Sequence, residues 1–231
     1  MGASYGQFCP IAKAMELLDE RWTLLVVREL VFGSTRFNQL RRGLPRMSPS
    51  LLSKRLGELE RAGLVERVRS GVEVQYELTE AGRELRPIVE ALAVWGVRWI
   101  GQVGDRDLDP KLMMFDLSRH VDRSTVPDGR TVVEFHFTDL PGKLRGWWLV
   151  IDPGGVDVCD ADPGHDITVT VRGGLRQLID FWVGNRGWAE LTGSGALQLA
   201  GIGGAVRAFP SWFERADFVD VPRAAVQLVA S

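Results

Sequence analysis

Residues Met47–Gly63, MSPSLLSKRLGELERAG, constrain this fold more than any other stretch, because they mark both ends of a short helix and give it two unlike faces. Ser48 is a natural N-cap, Pro49 takes the first helical position, where a missing N–H costs nothing, and Gly63 stops the helix. Leu52, Leu56 and Leu59 recur at helical spacing with Leu51 beside them, whereas Ser50, Ser53, Lys54 and Gly57 gather on the other side. An ordinary surface helix would carry the same apolar stripe, so the flanks decide what this one is. After Gly63 the period drops to two: Leu64–Val68 and then Val74, Tyr76 and Leu78 read as strands, joined through Arg69–Glu73 with Gly71 at the tip. The segment is therefore expected to be a helix followed by a β-hairpin wing, with Arg69 at the wing's base.

Upstream, apolar residues recur every three or four positions from Cys9 to Asp19 and from Trp22 to Phe32, which predicts two helices, the second apolar nearly all round. Thr35 is placed to cap a short third helix holding Phe37 and Leu40, and Gly43–Met47 connects it to the helix above. Helix, short connection, helix is a helix-turn-helix arrangement. Charge supports a polyanionic partner here. The whole chain has a net charge of -2, yet residues 36–69 hold nine Lys or Arg against three Glu.

Thr79 is expected to cap a long helix with Leu85, Ile88, Val89, Leu92, Trp95, Trp99, Ile100 and Val103 on one wide stripe, bent at Pro87. Such a stripe calls for a cover, either a second copy of the chain or the C-terminal part of this one. GQVGDRDLDP, at residues 101–110, then reads as a linker. Beyond it the pattern predicts a helix at 111–120, strands at 131–137, 145–151, 155–159, 167–171 and 196–200, and helices at 175–183 and 203–213. The expected fold class is α+β: a winged helix-turn-helix domain over 1–104 and an α/β domain over 105–231.

The run from Cys9 to Arg67, together with YELTEAGREL at 76–85, resembles the HxlR-type family of winged-helix transcriptional regulators, relatives of the MarR type. The Cys-Pro start, the Trp22–Leu30 core, Arg36-Phe37-Asn38, the Ser48-Pro49 cap and Leu-Thr-x-x-Gly after the wing occur in the family's order and spacing. That resemblance implies a homodimer that binds double-stranded operator DNA, modulating transcription as a repressor. Residues 110–216, through ITVTVRGGLRQLIDFWVGNRGWAELTGSGALQLAG and AVRAFPSWF, are similar to the sterol carrier protein type-two fold, which implies a domain for a small hydrophobic effector or, alternatively, a carrier module.

On this reading Ser48, Ser50, Ser53 and Lys54 face the groove, with Arg36, Arg46 and Arg69 as positioning contacts; Lys54 can read a guanine edge or neutralise a phosphate. Trp148, Phe181, Trp182 and Phe209 are the candidate ligand-binding residues, since effector pockets are mostly apolar. Cys9, at a helix start, is a candidate redox sensor or else a small packing residue. No enzyme, cofactor or metal site is expected: His120, His136 and His165 are scattered, and Asp157, Asp160, Asp162 and Asp166 lack the glycine and final glutamate of a calcium loop. Two cysteines, no leader pattern and no long apolar run point to the cytoplasm and away from membranes.

Overall fold

Three helices, α1 (Pro10–Leu18), α2 (Thr23–Val31) and α3 (Phe37–Gly43), precede the marked helix, α4 (Pro49–Arg61). The computed structural model describes residues 4–71, 73–100, 103–215 and 217–224, and they divide into two compact units, Met1–Gly96 and Val97–Ser231. In the first unit α2 is the central element. Val26, Val27, Leu30 and Val31 are buried against Leu40, Leu44, Leu52, Leu56 and Leu59. Its burial is not all round, however, since Leu25 remains exposed. The cap of α3 falls on Arg36 rather than Thr35, because Gln39 Oε1 reaches back to accept both the Arg36 N–H at 3.0 Å and the Thr35 N–H at 3.1 Å.

The wing consists of β1 (Val65–Ser70) and β2 (Glu73–Leu78), antiparallel, with Val65 opposite Leu78 and Ser70 opposite Glu73. Both strands run further than their alternation suggested, which moves Arg69 from the base of the wing to one rung below its tip. Gly71 turns there at φ +63°, and Val72, the other tip residue, lies outside the described residues. Thr79 Oγ1 donates to the Gly63 carbonyl at 2.6 Å and accepts from Gly82 N–H at 3.2 Å, which ties the end of the wing to the end of α4. A Cβ on Gly82 would sit 2.0 Å from the Leu64 carbonyl oxygen, so the glycine after Leu-Thr-x-x is required by close backbone approach. The expected long helix is two pieces, α5 (Glu80–Arg83) and α6 (Arg86–Trp99). Pro87 lacks the N–H an α-helix needs and its ring crowds the carbonyl four residues back, so the chain breaks here instead of bending.

The second unit begins within the last turn of α6. Asp109 caps α7 (Pro110–Arg119), its carboxylate accepting from Lys111 and Leu112 N–H. Five strands follow, β3 (Thr131–Phe137), β4 (Gly146–Asp152), β5 (Gly155–Cys159), β6 (Val169–Gly173) and β7 (Leu197–Gly201), in the order β5-β4-β3-β6-β7. Only β3 and β6 pair in parallel, so the sheet is mixed, a pairing that the expected run of strands left open. One face buries Val133, Phe135, Phe137, Trp147, Leu149, Ile151, Val169 and Val171 against α7, α8 (Leu175–Trp182) and the chain after α10 (Gly203–Ala208). The expected helix at 203–213 stops at Ala208, where Pro210 enforces a 3₁₀ turn over Phe209–Trp212, and α9 (Trp188–Gly193) is an additional helix. Of the linker, Gly101 and Gln102 lie outside the described residues, whereas Arg176 holds the Val103 carbonyl and the Asp105 carboxylate.

Candidate nucleic-acid interface

Helix α4 presents the polar face that its spacing requires. Ser50, Ser53 and Lys54 are all exposed, and the Lys54 side chain keeps 64% of its accessible surface with only a 3.9 Å approach to Glu58. Ser48 has a structural task as well: its Oγ accepts the Leu51 N–H at 3.3 Å and lies 3.2 Å from Ser50 Oγ. Its hydroxyl proton can still be given to an acceptor outside the helix. Gly57, on the same side, has nothing within 4 Å of where a Cβ would be, so its smallness serves no packing need inside the protein.

Arg41, Arg42, Arg46, Arg61, Arg67 and Arg69 are exposed around this helix. Arg36 is exposed too, but its Nη2 is 2.7 Å from Glu73 Oε2, and both side chains remain more than half exposed. A pair so open to water is worth little and yields readily to a phosphate. An isolated bridge between Arg36 and Gln75, with the Tyr76 N–H donating to the Thr35 carbonyl at 2.7 Å, draws the wing alongside the start of α3. Sequence reasoning missed this two-residue contact; no periodicity marks it.

Arg55, counted with the basic flank by its charge, is a correction: it turns inward and is nearly fully buried. It donates through Nη2 to Glu20 Oε2 at 2.6 Å, through Nε to the Arg21 carbonyl at 3.1 Å and through Nη1 to the Glu58 carboxylate. Burial pushes the Glu58 carboxyl up, but the Arg55 guanidinium outweighs it and holds the group below the ordinary range. Arg55 lies three residues after Leu52 and four before Leu59, so it is the flank of the leucine side that is fixed to the α1–α2 connection. At the other end of α3, Glu29 is completely buried and takes Arg28 and Ser34 as partners. A buried carboxylate, Glu29, and a buried guanidinium, Arg55, thus tie α3 and α4 to the α2 side of the unit, leaving the exposed face of α4 free of structural duty apart from the Ser48 cap.

The remaining sequence candidates lie elsewhere. Cys9 stands at the N-cap of α1, half-buried and not in a disulfide, and makes no side-chain capping bond. Phe181, Trp182 and Phe209 belong to one connected ring cluster in the second unit: Phe209 is 5.5 Å from Trp188 and 5.3 Å from Phe213, Phe181 is 4.9 Å from Trp188, and Trp182 is 6.3 Å from Phe213. Trp148 is not brought to them. It alternates with Trp147 on β4, and Trp147 is the one facing the helices, so Trp148 lies on the opposite face of the sheet. The indole N–H of Trp182 donates to Asp116 Oδ2 at 2.6 Å, while that of Trp212, fully buried against Phe209, finds no acceptor among the described residues. No helix among the described residues is long and apolar enough to cross a membrane.

Comparison with known proteins points the same way as the geometry of the first unit. Residues 17–104 match the family model described as HxlR-like helix-turn-helix. The HTH-type transcriptional regulator YvaP of Bacillus subtilis is 39% identical over 98 residues, covering 41% of this chain and 91% of that protein. The HTH-type transcriptional regulator sll1512 of Synechocystis is 39% identical over 100 residues, covering 42% of this chain and 74% of the other. Among solved structures, the reduced form of the transcriptional regulator YodB from B. subtilis is 33% identical with a TM-score of 0.35, covering 39% of this chain and 92% of that one.

Proposed function

Because this chain belongs, through its first hundred residues, to the HxlR-like helix-turn-helix family, we propose that it is a transcriptional repressor that binds operator DNA as a homodimer and answers to a small apolar effector held by its second unit. The observation that carries the reading is the polar face of α4, with Ser50, Ser53 and Lys54 exposed and Gly57 half-buried beside them, ringed by unburied arginines and supported from behind by ion pairs with one buried partner each, Arg55 and Glu29. A helix with short side chains on that face can enter a major groove, and the arginines on either side reach the two phosphate strands.

A dimer is supported by apolar surface that the first unit leaves uncovered. On α6, Ile88, Leu92 and Trp95 are each about half exposed, and on α1 Ile11 is 74% exposed. Two copies hiding such stripes about a two-fold axis would present two α4 helices to successive grooves. The effector reading rests on the ring cluster around Phe209 and on the unpaired Trp212 N–H, a buried donor that costs stability until an acceptor reaches it.

The test is selection of a duplex from a random pool by the full-length protein, followed by fluorescence anisotropy across salt concentrations and sedimentation of the free and bound forms. A palindromic consensus bound by two chains, with affinity falling steeply as salt rises, is expected. Failure to enrich any sequence, or one chain per site, would overturn the reading.

A further inference from the structure

A cleft of about 530 Å³ opens within the second unit, between Val97–Ile100, the residues around the end of α8, and the segment Val221–Ala224. Its walls carry four arginines, Arg98, Arg176, Arg186 and Arg223, against one acid, Asp180. The carboxylate of Asp180 is engaged by Asn185 Nδ2 at 3.0 Å. Arg176 is neutralised by Asp105 at 2.6 Å, and Arg186 is paired with Glu190 at 2.8 Å in a mostly solvated contact.

The other two are different. Arg223 donates through Nη1 to the Val97 carbonyl at 2.9 Å and through Nη2 to the Val183 carbonyl at 3.3 Å, contacts that fix the guanidinium without cancelling its charge. Arg98 is exposed and enters no ion pair among the described residues. Trp99, Ile100 and Pro222 supply an apolar wall to the same cleft. A fixed cation, an exposed cation outside any ion pair among the described residues and an indole lining one concavity match a ligand with a flat apolar body and an anionic end.

We propose that this cleft binds a small aromatic carboxylate, its acid group held by Arg98 and Arg223 and its ring system laid against Trp99 and Ile100. The cleft shares none of these residues with the aromatic cluster around Phe209. Inorganic anions lack a body for the apolar wall, and neutral aromatics leave the two guanidinium charges unanswered.

The experiment is isothermal titration of the full chain with 2-naphthoate, 2-naphthylmethanol and inorganic phosphate, repeated with Arg98→Gln and Arg223→Gln after their thermal transitions have been compared with wild type. The acid is expected to saturate one site per chain, at least tenfold tighter than the alcohol or phosphate, and to weaken at least tenfold in Arg98→Gln, whose side chain makes no hydrogen bond or ion pair among the described residues. Equal affinity for acid and alcohol would overturn the proposal, as would undiminished binding in both variants or no saturable heat up to millimolar acid. If phosphate binds as tightly as the acid, the role given to the apolar wall is wrong and the ligand class with it.

Discussion

Replacing Gly43 by alanine tests whether the buried Glu29 carboxylate fixes the end of α3. A Cβ there would lie 2.0 Å from Glu29 Oε2 and 2.2 Å from its Cδ. Glu29 has no exposed surface, and its Oε1 accepts from Arg28 Nε at 3.0 Å and Nη2 at 2.6 Å while Oε2 accepts from Ser34 Oγ at 3.3 Å. Arg28 Nη2 also donates to the Gly43 carbonyl at 3.1 Å, so the group that must move is tied to the residue that displaces it. Reaching ordinary contact requires a shift of roughly 1.5 Å in a packed interior. Overpacking costs about 1–3 kcal/mol, and a hydrogen bond to a charged group about 1.5–3 kcal/mol. Strain plus one lost bond gives about 3 kcal/mol, or roughly 10–25 °C in the melting of a unit this size. Calorimetry of the full chain should show that loss in the transition of the first unit. In a Glu29→Ala background, already destabilised because Arg28 is left unpaired, the same Gly43→Ala change should cost less than about 1 kcal/mol. Equal costs in the two backgrounds would refute the assignment of the strain to the Glu29 carboxylate.

Three further outcomes bear on the interface. Lys54→Ala should weaken operator binding by roughly 1–3 kcal/mol if the amine reads a base, or lower affinity evenly across sequences and reduce the salt slope by about one if it meets a phosphate; unchanged anisotropy curves at every salt concentration would remove Lys54 from the interface. Gly57→Leu should keep or raise the melting temperature, because leucine is favoured over glycine in a helix by about 0.8 kcal/mol and nothing lies near that Cβ, while duplex affinity falls at least tenfold as the side chain holds α4 off the groove; full affinity in the leucine variant would mean that α4 does not enter a groove by this face. Arg55→Met should destabilise the first unit at neutral pH, by an amount that shrinks in acid. The Glu58 carboxyl is held below its unfolded value, so its stabilising pairing is present above the ordinary glutamate range near about 4.3 and is lost as pH falls through the lower folded value; a difference between wild type and variant that stays constant from neutral pH down to acid would contradict that linkage.

Helix α4 is legible in the sequence down to its caps because capping is local chemistry: Ser48, Pro49 and Gly63 act on residues within one turn of themselves. The inward turn of Arg55 is half legible, since its place three residues after Leu52 and four before Leu59 puts it in phase with the buried side, whereas its partner Glu20 lies 35 residues away and no spacing announces it. The break at Pro87 is half legible. Proline announces that the helix cannot pass straight through, but whether it bends or stops depends on how the freed carbonyls are satisfied. Arg83 Nη1 takes the Leu78 carbonyl at 2.7 Å and Arg86 Nη2 takes that of Val31 at 2.9 Å, contacts that anchor the two pieces separately.

In the second unit the strands are legible and their partners are not, because alternation fixes which residues share a face but says nothing about which strand lies alongside. The parallel pairing of β3 with β6 depends on the chain from Asp160 to Thr168 crossing the sheet, a stretch whose composition marks only a loop. The place of Trp148, by contrast, was available from parity alone. Leu149 and Ile151 are the inward residues of β4, and Trp147 is in phase with them whereas Trp148 is not. Trp147 accordingly has the enclosed position, its indole N–H donating to the Leu144 carbonyl at 2.8 Å. Choosing a ligand-binding tryptophan by residue type selects either member of such a pair; choosing by phase selects Trp147. Trp147 already spends its one donor within the protein, whereas among the described residues the buried indole N–H without an acceptor in that core is that of Trp212.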